Sequence, residues 1–314
     1  MPLAPQFSVI VPLYNKENYI KNTIGNVLNQ TFKNFEIIVV NDGSTDRSLD
    51  VISRIEDKRI KIINQENKGV SVARNKGIVS ANAQYIVFLD ADDLWFTNHL
   101  EELKLLVNDF PNCGMYCSRY KTKISHEKII NNSFSYSIQD NFRGIVPNFF
   151  EASLVNRVAF TSALMIPKKI FKECGMFDIN LSNGEDWDLW VRIALHYKVA
   201  ITSQVTAIYR FEISNSLSKI KFSEKKTLDF KKFECHEKRN SSLKLLLDIY
   251  RLEYALQYRI SNNIEQSKAL LKEINNEIPI KAKILLKLPP SFLSVLLRIK
   301  HYLKSKGISF TVYH

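Results

Sequence analysis

The sequence predicts an α/β protein, a mostly parallel sheet with flanking helices followed by a helical C-terminal extension. Three observations predict it. Short apolar runs of strand type alternate with amphipathic helical stretches in the N-terminal part of the chain. Each run ends in polar residues, Tyr14/Asn15, Asp42, Asn67 and Asp90/Asp92, so one edge of a parallel sheet would collect them. From residue 223 onward the composition turns helical.

Phe7-Ser8-Val9-Ile10-Val11-Pro12 reads as the first strand, with Pro12 as its stop. The pairs Tyr19/Ile20, Thr23/Ile24 and Val27/Leu28 recur every four residues, which gives a helix one buried face. Phe35 to Val40 is a second strand, and Ser44 or Thr45 is expected to cap a helix running through Ser53. Ile60 to Ile63, residues 70–80 and Tyr85 to Leu89 supply a third strand, a third helix and a fourth strand. Between 113 and 218 the pattern is looser, with short β-like runs around Ala163–Pro167 and Ala200–Thr202 and a helix from Trp187 to Tyr197. Leu243–Tyr258 and Ile264–Ile274 read as helices of the extension.

At 314 residues the chain has room for one large domain and an appendage. No stretch approaches the roughly 18 consecutive apolar residues of a membrane span. The start, Met1-Pro2-Leu3-Ala4-Pro5-Gln6, has neither the basic opening nor the apolar core of a signal peptide, so a cytoplasmic location is expected. Cys113, Cys117, Cys174 and Cys235 form no zinc-type double CxxC pattern, which favours reduced, mostly buried thiols. Charge is unevenly placed. Residues 1–218 carry 24 Lys/Arg against 23 Asp/Glu, whereas residues 219–314 carry 20 against 9. The chain therefore divides into a neutral region and a strongly basic one.

The most telling motif is Phe88-Leu89-Asp90-Ala91-Asp92-Asp93, where an apolar strand runs into three carboxylates. Crowded carboxylates repel one another unless a cation sits among them, and a hard ion such as Mg²⁺ or Mn²⁺ suits oxygen ligands. A solvated Asp-rich turn capping the next helix is the other reading. Further motifs follow the same order as the strands: Val9 to Asn15, Val39-Val40-Asn41-Asp42-Gly43-Ser44-Thr45-Asp46, Asn67-Lys68-Gly69-Val70-Ser71-Val72-Ala73-Arg74-Asn75, and Gly184-Glu185-Asp186-Trp187. With these five ordered motifs, residues 6–218 resemble the family 2 glycosyltransferases, inverting and nucleotide-sugar dependent, of the Rossmann-like GT-A fold.

The resemblance implies a GT-A domain over 1–218, with a nucleotide-binding half at 6–112 and an acceptor half at 113–218, and a basic helical region at 219–314. It implies that Pro12, Tyr14, Asn15, Asp42, Asn67, Gly69, Arg74 and Asp90 line a nucleotide-sugar site. Tyr14 matches the ring that stacks on a nucleotide base, and its own chemistry suits that or a core position. Asp42 matches the acceptor of a base hydrogen bond, and as a residue it equally suits capping beside a Gly43 turn. Arg74 matches a diphosphate-contacting arginine, although a helix arginine is ordinarily solvated. Asp90 and Asp92 match the DxD motif, the first on the ribose side and the second holding Mn²⁺ or Mg²⁺ on the diphosphate, and Asp93 reads as a helix cap.

Asp186 matches the base that deprotonates the acceptor hydroxyl, with Glu185 and Trp187 as acceptor contacts. Asn183 and Asp186 also suit the N-cap and N3 positions of a helix. Where relatives carry Tyr-Arg-x-His, this chain has Tyr209-Arg210-Phe211-Glu212, so Glu212 is either a metal or diphosphate contact or a surface residue. The expected activity is hexosyl or N-acetylhexosaminyl transfer from a UDP-sugar to a glycan or lipid-linked acceptor in surface polysaccharide assembly. A metal-dependent nucleotidyltransferase, a phosphohydrolase and a nucleotide- or glycan-binding module compete with it; the two enzymes leave Glu185-Asp186 unexplained.

In the tail, Phe292, Val295, Leu296, Ile299, Tyr302 and Leu303 share one helical face, and Ser294, Arg298, His301 and Ser305 the other, with Lys300 and Lys304 beside them. After Glu277 no acidic residue occurs, while Lys281, Lys283, Lys287, Arg298, Lys300, Lys304 and Lys306 follow. Residues 281–306 thus suit peripheral association with an anionic membrane at the inner face of the cell membrane. Packing on the main domain is the alternative, and no nucleic-acid motif is present.

Overall fold

The computed structural model describes residues 4–125, 127–135, 138–211 and 222–305. The strands are β1 (Phe7–Leu13), β2 (Phe35–Asp42), β3 (Ile60–Gln65), β4 (Tyr85–Phe88), β5 (Leu94–Trp95), β6 (Met115–Lys123), β7 (Ile129–Asn131), β8 (Gly144–Ile145), β9 (Leu164–Pro167) and β10 (Val199–Arg210). The helices are α1 (Ile20–Leu28), α2 (Ser48–Ser53), α3 (Val70–Ser80), α4 (His99–Asp109), α5 (Phe149–Ala152), α6 (Ile170–Glu173), α7 (Glu185–Ala194), α8 (Glu234–Glu237), α9 (Ser241–Ile260), α10 (Ile264–Lys272), α11 (Ile280–Lys287) and α12 (Pro290–Ser305). The chain divides into two compact units, one of Met1–Thr122, Asn131–Arg210 and Lys226–Leu228, the other of Lys123–Ile130, Phe211–Lys225 and Asp229–His314.

In the first unit the strands lie in the order β3-β2-β1-β4-β9-β6-β10-β5. β3, β2, β1 and β4 are parallel, as the strand–helix alternation predicts. Beyond β4 the sheet is mixed rather than mostly parallel, because β9 runs antiparallel to both β4 and β6. β1 and β2 are buried along nearly their whole length, which is why they read as unbroken apolar runs.

Pro12 does not end β1, and it is buried inside the strand. β1 pairs with β4 only as far as Ile10 opposite Phe88, while its pairing with β2 continues through Pro12 to Leu13. A one-sided position tolerates a missing N–H. α2 starts at Ser48, after an N-cap at Arg47, rather than at Ser44 or Thr45. Gly77 of α3 lies against β1, and a Cβ there would stand 2.4 Å from Ile10 Cγ2.

The second unit is helical, and α9 packs with α8, α10, α11 and α12. Its buried Arg251 donates to both Glu237 oxygens at 2.8 and 3.0 Å and to Asp248 at 3.0 Å, over the Phe230 ring. The four cysteines are free thiols, Cys113 and Cys117 buried, Cys174 partly so, and Cys235 exposed. No helix of the described residues is long and apolar enough to cross a membrane.

Candidate active site

Parallel strands β1, β2 and β4 deliver Tyr14, Asp42 and Asp90 to the same sheet edge. Tyr14 is 42% exposed, an aromatic face left open to solvent. Asn15 beside it has a left-handed backbone, φ 51°, and its side-chain oxygen accepts from Thr45 N–H at 2.8 Å. Its own N–H donates to Ser44 Oγ at 3.2 Å. Asn15, Ser44 and Thr45 therefore lock two loops together.

Asp42 is buried, and its carboxylate accepts from Lys68 N–H at 2.8 Å, Gly69 N–H at 2.9 Å and Gln65 Nε2 at 2.7 Å. It fixes the turn into α3, whose N-cap Gly69 has φ +89°. Gly43 is required here, because a Cβ would meet the Asn67 backbone nitrogen at 2.7 Å and its φ is +70°. Asn67 itself is exposed.

α3 then places Arg74 inside the unit, 4% exposed. Its guanidinium donates to Asp90 Oδ1 at 2.8 Å and to Glu185 Oε1 at 3.2 Å, and lies over the Phe177 ring. Burial opposes its charge, but Asp90 and Glu185 more than offset this and hold its pKa above the ordinary arginine value. Asn75 pins the neighbouring segment by accepting from Phe177 N–H at 3.0 Å and donating to Phe177 O at 2.8 Å. The third helix thus joins the Asp90 strand end to the start of α7. Burial raises the Glu185 pKa, as does Asp186, while Arg74 works the other way.

The Asp90–Asp93 turn is tightly held. Thr23 Oγ1 donates to Ala91 O at 2.9 Å and Asp93 O at 3.1 Å, and Asp90 N–H donates to Ser162 Oγ at 3.0 Å. Asp93 is not a helix cap, since α4 starts later behind Asn98. It is a buried strut that accepts from Ser162 Oγ at 2.6 Å and Arg210 N–H at 3.0 Å. Burial, with Asp92 and Asp90 adding to it, pushes its pKa well up. Asp92 is raised by burial, opposed by Lys16, whose Nζ is 2.7 Å from Asp92 Oδ2.

The first turn of α7 carries Glu185, Asp186 and Asp188 behind Gly184, the N-cap at φ 83°. Asn183 is therefore not the cap, and Asp186 stands at the second helical position. Asp186 Oδ2 accepts from Arg157 NH1 at 2.8 Å, and Oδ1 from Trp187 N–H at 2.8 Å. Trp187 offers no open ring to a sugar. It is 3% exposed, with the Arg157 guanidinium 5.2 Å above it. Arg157, Lys16 and Ser162 were missed by sequence reasoning. Lys16 follows Asn15 and was legible there, whereas Arg157 and Ser162 lie in the loosely patterned stretch. Glu212 and the Asn215–Ser218 segment lie outside the described residues.

Asp90 and Asp92 fit a hard divalent cation: both offer carboxylate oxygens, and Asp92 already holds a positive charge at 2.7 Å. Among the described residues no cluster of three or more His, Cys, Asp or Glu is placed to hold a metal ion.

Residues 8–174 match the profile of "Glycosyl transferase family 2". The chain belongs to glycosyl transferase family 2. Glycosyltransferase GlyA of Streptococcus pneumoniae is 33% identical over 229 residues, which cover 70% of this family 2 chain and 32% of GlyA. An uncharacterized glycosyltransferase of Rickettsia prowazekii is 30% identical over 226 residues, 65% of each chain. The chain thus spans between a third and two thirds of the length of these curated relatives. Residues 1–349 of S. aureus TarS share the fold at TM-score 0.58 and 16% identity, covering 85% of this chain and 90% of that one. TarS has also been solved in complex with UDP-GlcNAc and with UDP.

Proposed function

We propose that this family 2 chain is an inverting glycosyltransferase that moves a hexosyl or N-acetylhexosaminyl group from a UDP-sugar to an acceptor hydroxyl. The observation that carries the reading is Arg74, which ties DxD residue Asp90 to Glu185, next to Asp186. Donor-side and acceptor-side carboxylates thereby share one rigid frame. The UDP and UDP-GlcNAc complexes of TarS support the choice of donor.

Tyr14 stacks on the base, and Asp42 holds the Asn67–Gly69 turn against it. Asp90 and Asp92 are the residues that would hold Mn²⁺ or Mg²⁺, which supplies positive charge to the departing diphosphate. Asp186 takes the proton of the acceptor hydroxyl as that oxygen bonds to the anomeric carbon and the bond to UDP breaks on the opposite face. Arg157 and the Trp187 N–H each hold one oxygen of that carboxylate. Glu185 acts through Arg74 rather than by touching the acceptor.

The acceptor is a glycan or lipid-linked glycan under assembly at an anionic membrane face. What supports this is the second unit. Leu293 packs inward at 3% exposed, while Phe292, Val295 and Ile299 of α12 stay 51%, 48% and 47% exposed. Ile280 and Ile284 of α11 are likewise exposed, at 73% and 56%, on a helix that carries Lys281, Lys283 and Lys287.

Asp186→Asn tests the chemistry. Turnover should fall by roughly 10²–10⁴-fold with UDP affinity retained. Retained turnover removes Asp186 from the reaction.

A further inference from the structure

The contact between Lys16 and Asp92 plays no part in the transfer chemistry above. Lys16 sits in the loop after β1, and that loop is held firmly. Lys16 N–H donates to Ser48 Oγ at 2.7 Å, and Ser48 N–H in turn to Asp46 Oδ1 at 2.9 Å. Glu17 N–H donates to Asp46 Oδ2 at 3.1 Å, and Asn15 is fixed from the other side by Thr45. The ammonium is thereby delivered to Asp92 Oδ2 at 2.7 Å, with the two side chains only 13% and 16% exposed. A solvated surface lysine would not be drawn in so far.

Asp92 is also a residue that would hold the divalent cation, so two positive charges have claims on one carboxylate. A lysine ammonium is a compact charge on a flexible four-carbon stem, and can exchange one anionic oxygen for another without moving the backbone. The oxygens that arrive with a donor are those of its diphosphate.

We infer that Lys16 is a mobile counterion of the donor site, neutralising Asp92 before nucleotide binds and passing to a diphosphate oxygen when it does. Lys16 gives up Asp92 as a divalent cation takes that carboxylate, so the lysine and the cation compete in the absence of nucleotide. This rests on the donor-site reading above.

Two calorimetric titrations test it, Mn²⁺ alone and UDP in EDTA, on wild type, Lys16→Met and Lys16→Arg, with melting curves to verify folding. Lys16→Met should bind Mn²⁺ roughly fivefold tighter or more, the scale of a partly buried ion pair removed as competitor. The same variant should bind UDP in EDTA roughly tenfold more weakly, having lost a charge-assisted phosphate contact. Lys16→Arg should keep the wild-type Mn²⁺ affinity. Unchanged or weaker Mn²⁺ binding in Lys16→Met, or unchanged UDP binding, overturns the role of Lys16 while leaving the donor site standing. A wild type that binds no UDP even with Mn²⁺ removes the donor site and the lysine's role together.

Discussion

Replacing Arg74 by methionine keeps the volume of the side chain and removes the charge on which two carboxylates depend. Asp90 and Glu185 lie 2.8 and 3.2 Å from the guanidinium, with side-chain exposures of 31% and 14% against 5% for Arg74. At an effective dielectric near 20, charges about 4 Å apart attract by about 4 kcal/mol. The Asp90 share is reduced because water reaches it, so most of the loss falls on Glu185. Breaking a buried pair by removing one partner costs about 3–5 kcal/mol, and the low end, about 3 kcal/mol, suits this half-screened pair. For a unit of this size that corresponds to a drop in melting temperature of roughly 6–12 °C.

The loss should also depend on pH. The Glu185 pKa already stands above its ordinary 4.5 in the folded protein, through burial and Asp186. Without Arg74 it rises further. A raised carboxyl binds its proton more tightly folded than unfolded, so its stabilising contribution is complete below the unfolded value and is lost as pH rises through the folded one. The Arg74→Met deficit should therefore be largest at neutral pH and shrink as the pH is lowered toward 4.5. Scanning calorimetry of both proteins across that range checks it. A melting temperature within about 2 °C of wild type, where a loss of about 3 kcal/mol requires several times more, or a deficit that does not change with pH, would show that Glu185 does not depend on the Arg74 charge.

Two further outcomes follow from the packing. Gly77→Ala should lower the urea midpoint by the equivalent of about 1–3 kcal/mol, the clash with Ile10 outweighing the helix preference for alanine; a more stable variant would show that β1 and α3 can separate at no cost. The double variant Phe292→Ser, Ile299→Ser should stay folded yet lose sedimentation with anionic vesicles, while wild type should ignore neutral ones; equal binding by both proteins would take the α12 face out of the membrane reading.

The first four strands and their helices were legible because each is a buried apolar run or a four-residue repeat closed by polar residues. The parallel half of the sheet follows from that pattern alone. The later strands were only partly legible. β9 and β10 left short β-like traces, whereas the pairing of β9 between β4 and β6 joins segments distant in sequence and leaves no local period. Pro12 misled because the edge of the β4 pairing cannot be seen from residue type. In the site, Asp90 and Asp92 stood out as carboxylates crowded at a strand end, whereas Tyr14, Asp42, Arg74, Glu185 and Asp186 stood out through the motifs that resemble family 2. Their geometry did not: Arg74 is buried between two carboxylates rather than solvated, and Trp187 lies beneath Arg157 rather than open. Such pairings are tertiary facts. Ser162, which braces Asp90 and Asp93, is one serine among many in a stretch without a motif.

The measurement that bears most directly on a metal-assisted donor site is calorimetric titration of UDP with Mn²⁺ and with EDTA, on wild type and Asp92→Ala. Mn²⁺ should tighten UDP binding roughly tenfold or more in wild type, and Asp92→Ala should abolish this gain. Wild type that binds no UDP under either condition, or Asp92→Ala that keeps the whole gain, would contradict a metal-assisted donor site.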